Sequence, residues 1–299
     1  MARHARTCSA AGSHGPAHAP AHTPPRETAP RRCDPVLLGV LTTAADFAAL
    51  ARRIPVRHPD YRSYLAELGQ ALDRLRRIHP AVYGRRFHLA DLDRFCAQHG
   101  LDRDAPGSHG AYTESPEGEP AWVRWTGQPL PVFLAALDRA HLRAGRRAMV
   151  HARLDRMLVE TAEAAPTGAF PAELLRPAYG AASRAVHTVL LSASPGPHRL
   201  ACALHPDDGS EPVELCVELE TGPGGRPRMD DADLDALTAA MCTAHALRLS
   251  ARLLLAGDGL AAVRGWFFDG SELHRRSAPD LLYGLSGRLL GELAAPLEI

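Results

Sequence analysis

The sequence predicts an α+β protein: a helix-rich N-terminal half with a small strand pair, then a C-terminal four-stranded, mainly antiparallel sheet (ββαββα) with helices on one face. Three observations carry this. Apolar side chains recur at helical spacing through residues 61–78 and again across 130–191. Residues 199–220 alternate apolar and polar, the pattern of a half-exposed antiparallel pair. Asp-Gly turn signals then divide the C-terminal third into short pieces.

Residues 1–33 hold Ala, Pro, His, Arg, Ser and Gly with almost no large apolar side chain, so they are expected to be a disordered low-complexity tail. His14, His18 and His22 fall four apart, but Pro16, Pro20 and Pro24 exclude a helix that would align them. Order begins with Val36–Leu41, read as a buried strand. Thr43-Ala-Ala-Asp46 forms a capping box for a helix to about Arg53. Pro59, placed in a first turn, opens a helix carrying Tyr61, Tyr64, Leu65, Leu68, Leu72 and Leu75, which Pro80 ends. Residues 81–88 read as a second strand, parallel to the first, and a short helix with Leu92, Phe95 and Cys96 ends at Gly100. Residues 101–128 read as a long connection, and helices are expected over 130–144, 146–164 and 171–191, with Gly145 breaking the first two.

In the second half, strands 199–204 and 212–220 flank a turn at residues 205–210. Leu200, Cys202 and Leu204 share a face with Val213, Leu215, Val217 and Leu219. Asp230 or Asp231 caps a helix to about Leu247. Strands 249–256 and 260–268 follow, joined at Gly257-Asp258-Gly259, and Ser277-Ala-Pro-Asp280 opens one final helix to about Leu293. The organisation is a tail (1–33), a helix-rich α/β region (34–195) and an α+β sheet region (196–299), the last two able to share one core. A chain this long buries about three quarters of its unfolded surface, so the core needs no staples.

Composition removes several chemistries. All 34 basic residues are Arg, and Asn is absent. This usage is that of a GC-rich, bacterial-type coding sequence. A P-loop, a protein kinase, a Ser-x-x-Lys acyl enzyme and a pyridoxal Schiff base all need a lysine or an asparagine that is not there. Net charge is zero but uneven: +4 over 1–33, +3 over 34–100, 0 over 101–195 and −7 over 196–299. That asymmetry favours docking of one half on the other, or on a second copy; since no segment is strongly basic it is only a weak argument for nucleic acid, which is not the expected partner. The six cysteines are too dispersed for a disulfide scaffold, and neither a secretory leader nor a membrane-spanning run is read in the sequence. A reduced, cytoplasmic protein is the expectation.

The candidate sites each have a plain reading beside them. Gly257-Asp-Gly-Leu-Ala-Ala262 matches a dinucleotide fingerprint, but strand follows it where a helix is required, so it reads as a hairpin turn. Asp230, Asp231, Asp233 and Asp235 read as helix-start acids rather than a metal cluster. Cys96-x-x-His99 and Cys242-x-x-His245 are weak candidates for one Cys₂His₂ zinc site, against the ordinary reading of buried Cys on inward helix faces; no cofactor is expected. Arg139, Arg143, Arg146, Arg147, Arg153 and Arg156 read as a solvated face or as a surface docked on the acidic second half. Trp122, Arg124 and Trp125 lie in the long connection and are the candidate binding residues, since exposed Trp and Arg anchor interfaces; the plainer reading has both Trp capping the core. The favoured function is a non-catalytic binding or protein-interaction module, using that segment and the C-terminal sheet against a protein partner or a second copy. The alternative is an enzyme of unfamiliar type with His, Asp and Arg in a site between the halves.

Overall fold

The computed structural model describes residues 35–164, 172–257 and 263–295. The tail and the Asp258-Gly259 turn lie outside these residues. The first layer is built on β1 (Val36–Val40) and β2 (Val82–Arg86), paired in parallel with Val36 opposite Val82. Between them run α1 (Ala44–Ala51) and α2 (Tyr61–Ile78). Thr43 and Asp46 make the capping box: the Asp46 amide donates to Thr43 Oγ1, and that hydroxyl donates to Asp46 Oδ2. Asp60, not Pro59, starts α2, accepting from the Ser63 amide at 2.7 Å. A carboxylate can take that orphan donor, and proline offers no acceptor of this kind. α3 (Leu89–His99) ends as expected at Gly100, which is left-handed at φ 64°.

Residues 101–128 are not one loop. They form α4 (Pro106–Glu114), a 3₁₀ segment Pro116–Ala121 and β3 (Val123–Arg124), which pairs antiparallel with β2. The small sheet lies between two apolar clusters. Leu41, Phe47, Phe87, Leu92, Cys96 and Tyr112 form one, and Val40, Leu72, Val82, Trp125, Phe133 and Leu137 form the other. At Gly84 a Cβ would sit 2.7 Å from Phe133 Cζ, so glycine lets that ring lie against the strand.

Phe133 and Leu137 belong to α5 (Leu130–Ala164), a single 35-residue helix that continues through Gly145. Glycine costs a helix about 1 kcal/mol relative to alanine. Here packing on both sides outweighs it: Leu137 is buried in the first core, while Val150 and Leu154 are buried in the second. After α6 (Ala172–Leu191) come β4 (Gly196–His205), β5 (Val213–Thr221), β6 (Pro227–Met229), α7 (Asp231–Leu247), β7 (Ser250–Ala256), β8 (Val263–Phe268) and β9 (Leu273–Arg276).

The sheet is antiparallel with order β6-β5-β4-β7-β8-β9. Its four inner strands are those expected, and the residues expected to share a face do so, with Leu200 opposite Val217 and Cys202 opposite Leu215. Two short edge strands extend it to six. Helices cover both faces rather than one. α5, α6 and α7 pack on Leu200, Cys202, Leu204 and Leu253. On the other face Ala201, Ala203, Leu254 and Ala256 lie under Leu281 of α8 (Ala278–Leu282) and Leu289 and Leu293 of α9 (Gly287–Ala294). The single final helix expected from 277 is thus two. Ser286 caps the second and also bonds Glu214 on β5 through both its amide and its hydroxyl. That tie fixes the break. The described part of Pro35–Ile299 belongs to one unit, with α5 common to both cores.

Candidate functional site

Of the residues expected to anchor a partner, only Arg124 is exposed; it reaches the Pro80 carbonyl at 3.4 Å. Trp125 is 5% exposed and packs edge-on to Phe133 with ring centroids 5.0 Å apart. Its amide donates to the Val82 carbonyl at 2.8 Å, prolonging the β3–β2 ladder and turning the side chain inward. Trp122 is half-buried. The C-terminal sheet carries helices on both faces, α5, α6 and α7 on one and α8 and α9 on the other.

The two Cys-x-x-His pairs do not meet. Cys96 is buried in the first core, and the His99 ring lies tilted against Phe95 with centroids 4.4 Å apart. Cys242 packs against the second core, where His245 lies 6.0 Å from the Phe268 ring. Burial pushes both thiols up, away from the thiolate a metal needs. The inward faces of α3 and α7 serve different cores, which separates the four residues.

Two other groupings are assembled instead. The first lies where α3 begins against α5. His88 Nδ1 is 3.3 Å from Asp91 Oδ2, and His141 Nε2 is 3.7 Å from the same oxygen. All three ligand atoms lie within 4.8 Å of one another, the one such grouping of His, Cys, Asp or Glu found among the described residues. Arg94 holds the other Asp91 oxygen at 3.4 Å. Nearby, Arg86 bridges Asp46 and Asp138 at 3.1 Å each. Burial lowers His141 below the ordinary imidazole range, against the opposing pull of Asp91. The sequence carries half of this signal, a His-x-x-Asp at a helix start. His141 lies far along another helix, and no local spacing links it.

The second grouping is a cleft of about 250 Å³ between α5 and β5, closed by α9 and the start of α7. Arg143, Arg146, Arg147, Arg153 and Arg288 line it, with Glu211, Glu214, Asp233 and Glu292. Arg146 pairs with Glu292 at 2.9 Å, and Arg143, at the rim, with Glu218 at 2.9 Å. Arg147 and Asp233 form a buried pair, with Asp230 3.6 Å from the same guanidinium nitrogen. Desolvation pushes Asp233 above the ordinary carboxylate range, opposed by Arg147. Asp230 also caps α7, as expected of a helix-start acid, accepting from the Ala232 and Asp233 amides. Arg153 donates to the Glu211 carbonyl, a neutral acceptor, and its charge also acts on the nearby Asp208 carboxylate. The arginine stripe of α5 therefore docks in large part on the acidic second half. Cys216 also lines the cleft, and burial pushes its thiol up to about 12.

These features define an α+β protein in which one long helix joins two cores and forms one wall of a charged cleft. Residues 25–128 match the model of a family described as a domain of unknown function (DUF8829). That stretch takes in β1 to β3 with His88 and Asp91, and ends before α5, His141 and the cleft. No curated protein and no solved structure matches the chain. Among the described residues no helix is long and apolar enough to cross a membrane.

Proposed function

We propose that the chain is a non-catalytic binding protein whose ligand seat is the arginine-lined cleft between α5 and β5, and that the ligand is a small molecule bearing carboxylate or phosphate groups. One observation carries this reading: five guanidinium groups and four carboxylates line a volume of about 250 Å³, and Arg153 among them donates to a carbonyl and not to a lining carboxylate. Guanidinium forks match carboxylate and phosphate oxygens in geometry as well as charge. The volume, about 250 Å³, falls just below the usual range for drug-sized ligand pockets, about 300–1,000 Å³, which suits a compact anion.

The enzyme reading placed its site between the halves, and the cleft lies there. Its chemistry fits that reading less well. Among the described residues the lining holds no histidine, Asp233 is paired with Arg147, and burial pushes the Cys216 thiol up to about 12. Inorganic phosphate, pyrophosphate and citrate are suitable probes. A ligand at 100 times its Kd raises stability by about 2.7 kcal/mol, which a thermal-shift assay resolves. At least one probe should raise the melting temperature of the wild type, and Arg153→Gln and Arg146→Gln should each abolish the rise. A melting temperature unmoved by all three probes would overturn the proposal.

A further inference from the structure

His88 occupies the N-cap of α3, yet its side chain makes no capping hydrogen bond. Ser, Thr, Asp and Asn are the side chains that satisfy a helix start, and imidazole is not among them. Here the ring sits beside Asp91, one turn into the helix. Its Nδ1 is buried and has no hydrogen-bond partner, although Asp91 Oδ2 is only 3.3 Å away. His141 approaches the same oxygen from α5 at 3.7 Å. These separations are poor for hydrogen bonds, whose N–H···O distance centres on about 2.9–3.0 Å. They suit ligands arranged around an ion. Four ligands bound at about 2.1 Å in a tetrahedron stand about 3.4 Å apart.

We propose that His88 Nδ1, Asp91 Oδ2 and His141 Nε2 form a binding site for a divalent transition metal, zinc being the best match, with solvent completing the coordination. Two imidazoles and one carboxylate are a mixed set that zinc and its first-row neighbours accept and that magnesium and calcium do not favour. Asp91 is oriented as a one-oxygen ligand, because Arg94 holds its Oδ1. The cation next to the site, Arg86, is already compensated by Asp46 and Asp138. Arg85 is turned away, donating to the Tyr112 carbonyl at 2.7 Å and lying over that ring. All three ligand side chains keep some solvent exposure, so an ion can enter and an outer position stays open. Bound there, the metal ties the start of α3 to α5.

The test uses the full chain without an affinity tag, stripped with chelator and titrated with zinc against a chromophoric chelator. His4, His14, His18 and His22 in the tail can also take zinc, so the readout is the difference between wild type and variants. The wild type should bind one equivalent more than Asp91→Asn or His141→Ala, and should hold it at least about 100-fold more tightly, beyond the 10–100-fold effect of changes outside the ligand set. Cobalt(II) should give the intense visible bands of a four-coordinate site in the wild type and lose them in both variants. His141→Asp, which exchanges one ligand for another, should retain binding. If His141→Ala does not fold, the nearly isosteric Asp91→Asn decides alone. Equal stoichiometry and affinity in wild type and Asp91→Asn, or no zinc held by the wild type at micromolar concentration, would refute the site.

Discussion

Arg147 and Asp233 show how much one residue pair can matter in this fold. Both side chains are almost wholly buried, and each is the other's compensation. Removing one charge of a buried pair leaves the other stranded and costs about 3–5 kcal/mol, whereas apolar replacement of both is often neutral. Arg147→Ala should therefore lower the urea midpoint by that measure, and Arg147→Met combined with Asp233→Leu should recover most of it. Tyr64 offers a second test. Its hydroxyl accepts the Leu41 amide at 3.0 Å inside the aromatic cluster with Phe47 and Tyr61, and burial pushes its phenol up to about 12. The folded value lies above the unfolded 10.0, so the stabilisation is complete below pH 10.0 and is lost as pH rises through about 12. Tyr64→Phe should remove that alkaline loss, roughly 3 kcal/mol by linkage, when stability is followed by circular dichroism across the range. At this scale the sequence made the caps legible, since Thr43, Asp230 and Gly100 act through neighbours a few residues away. For Trp125 the plainer reading, a ring capping the core, is the one the structure bears out, and pairing of β3 with β2 is what turns that ring inward.

The long helix is where local propensity and tertiary structure disagree. Gly145 reads as a breaker because glycine has no side chain to restrict the unfolded backbone. In the folded chain a Cβ at this position meets nothing within 4 Å. Gly145→Ala should therefore stabilise the protein by about 0.5–1 kcal/mol, measured as a rise in the urea midpoint. A loss of stability there would show that α5 needs a flexible joint. The final helix makes the opposite point. Its residues carry a continuous helical pattern, yet the chain breaks at Ser286, which is held by the nearly buried Glu214 carboxylate. Glu214 lies on the face of β5 that alternation marks as solvated. Only the arrival of α8 and α9 buries it, and no pattern within β5 announces them. Edge strands β6 and β9 are three and four residues long, too short to stand out as a period. Of the inner strands, β4 and β5 were legible by their alternation, and β7 and β8 as short apolar runs on either side of a Gly-Asp-Gly turn signal.

At the scale of the whole molecule, the uneven charge of the sequence has a structural counterpart. The acidic C-terminal part draws in the arginine stripe of α5 through Arg143–Glu218, Arg146–Glu292 and Arg147–Asp233. What charge counting could not give is the cleft these contacts enclose, because its walls come from α5, β5, α7 and α9. The metal-ligand cluster was hidden for the same reason. The exposed pairs each contribute about 0–1 kcal/mol, so Arg143→Gln should shift the melting temperature very little. Arg153→Gln should also leave stability nearly unchanged while removing anion binding. That separation of folding from binding marks a ligand seat as opposed to an electrostatic clamp.

Native mass spectrometry of the full chain, made without a metal-affinity tag and incubated with phosphate, pyrophosphate or citrate, tests the cleft most directly. The binding reading requires a single anion-sized mass increment on the wild type that is absent from Arg153→Gln. A bare protein mass under every condition, or an increment that survives in Arg153→Gln, would contradict it.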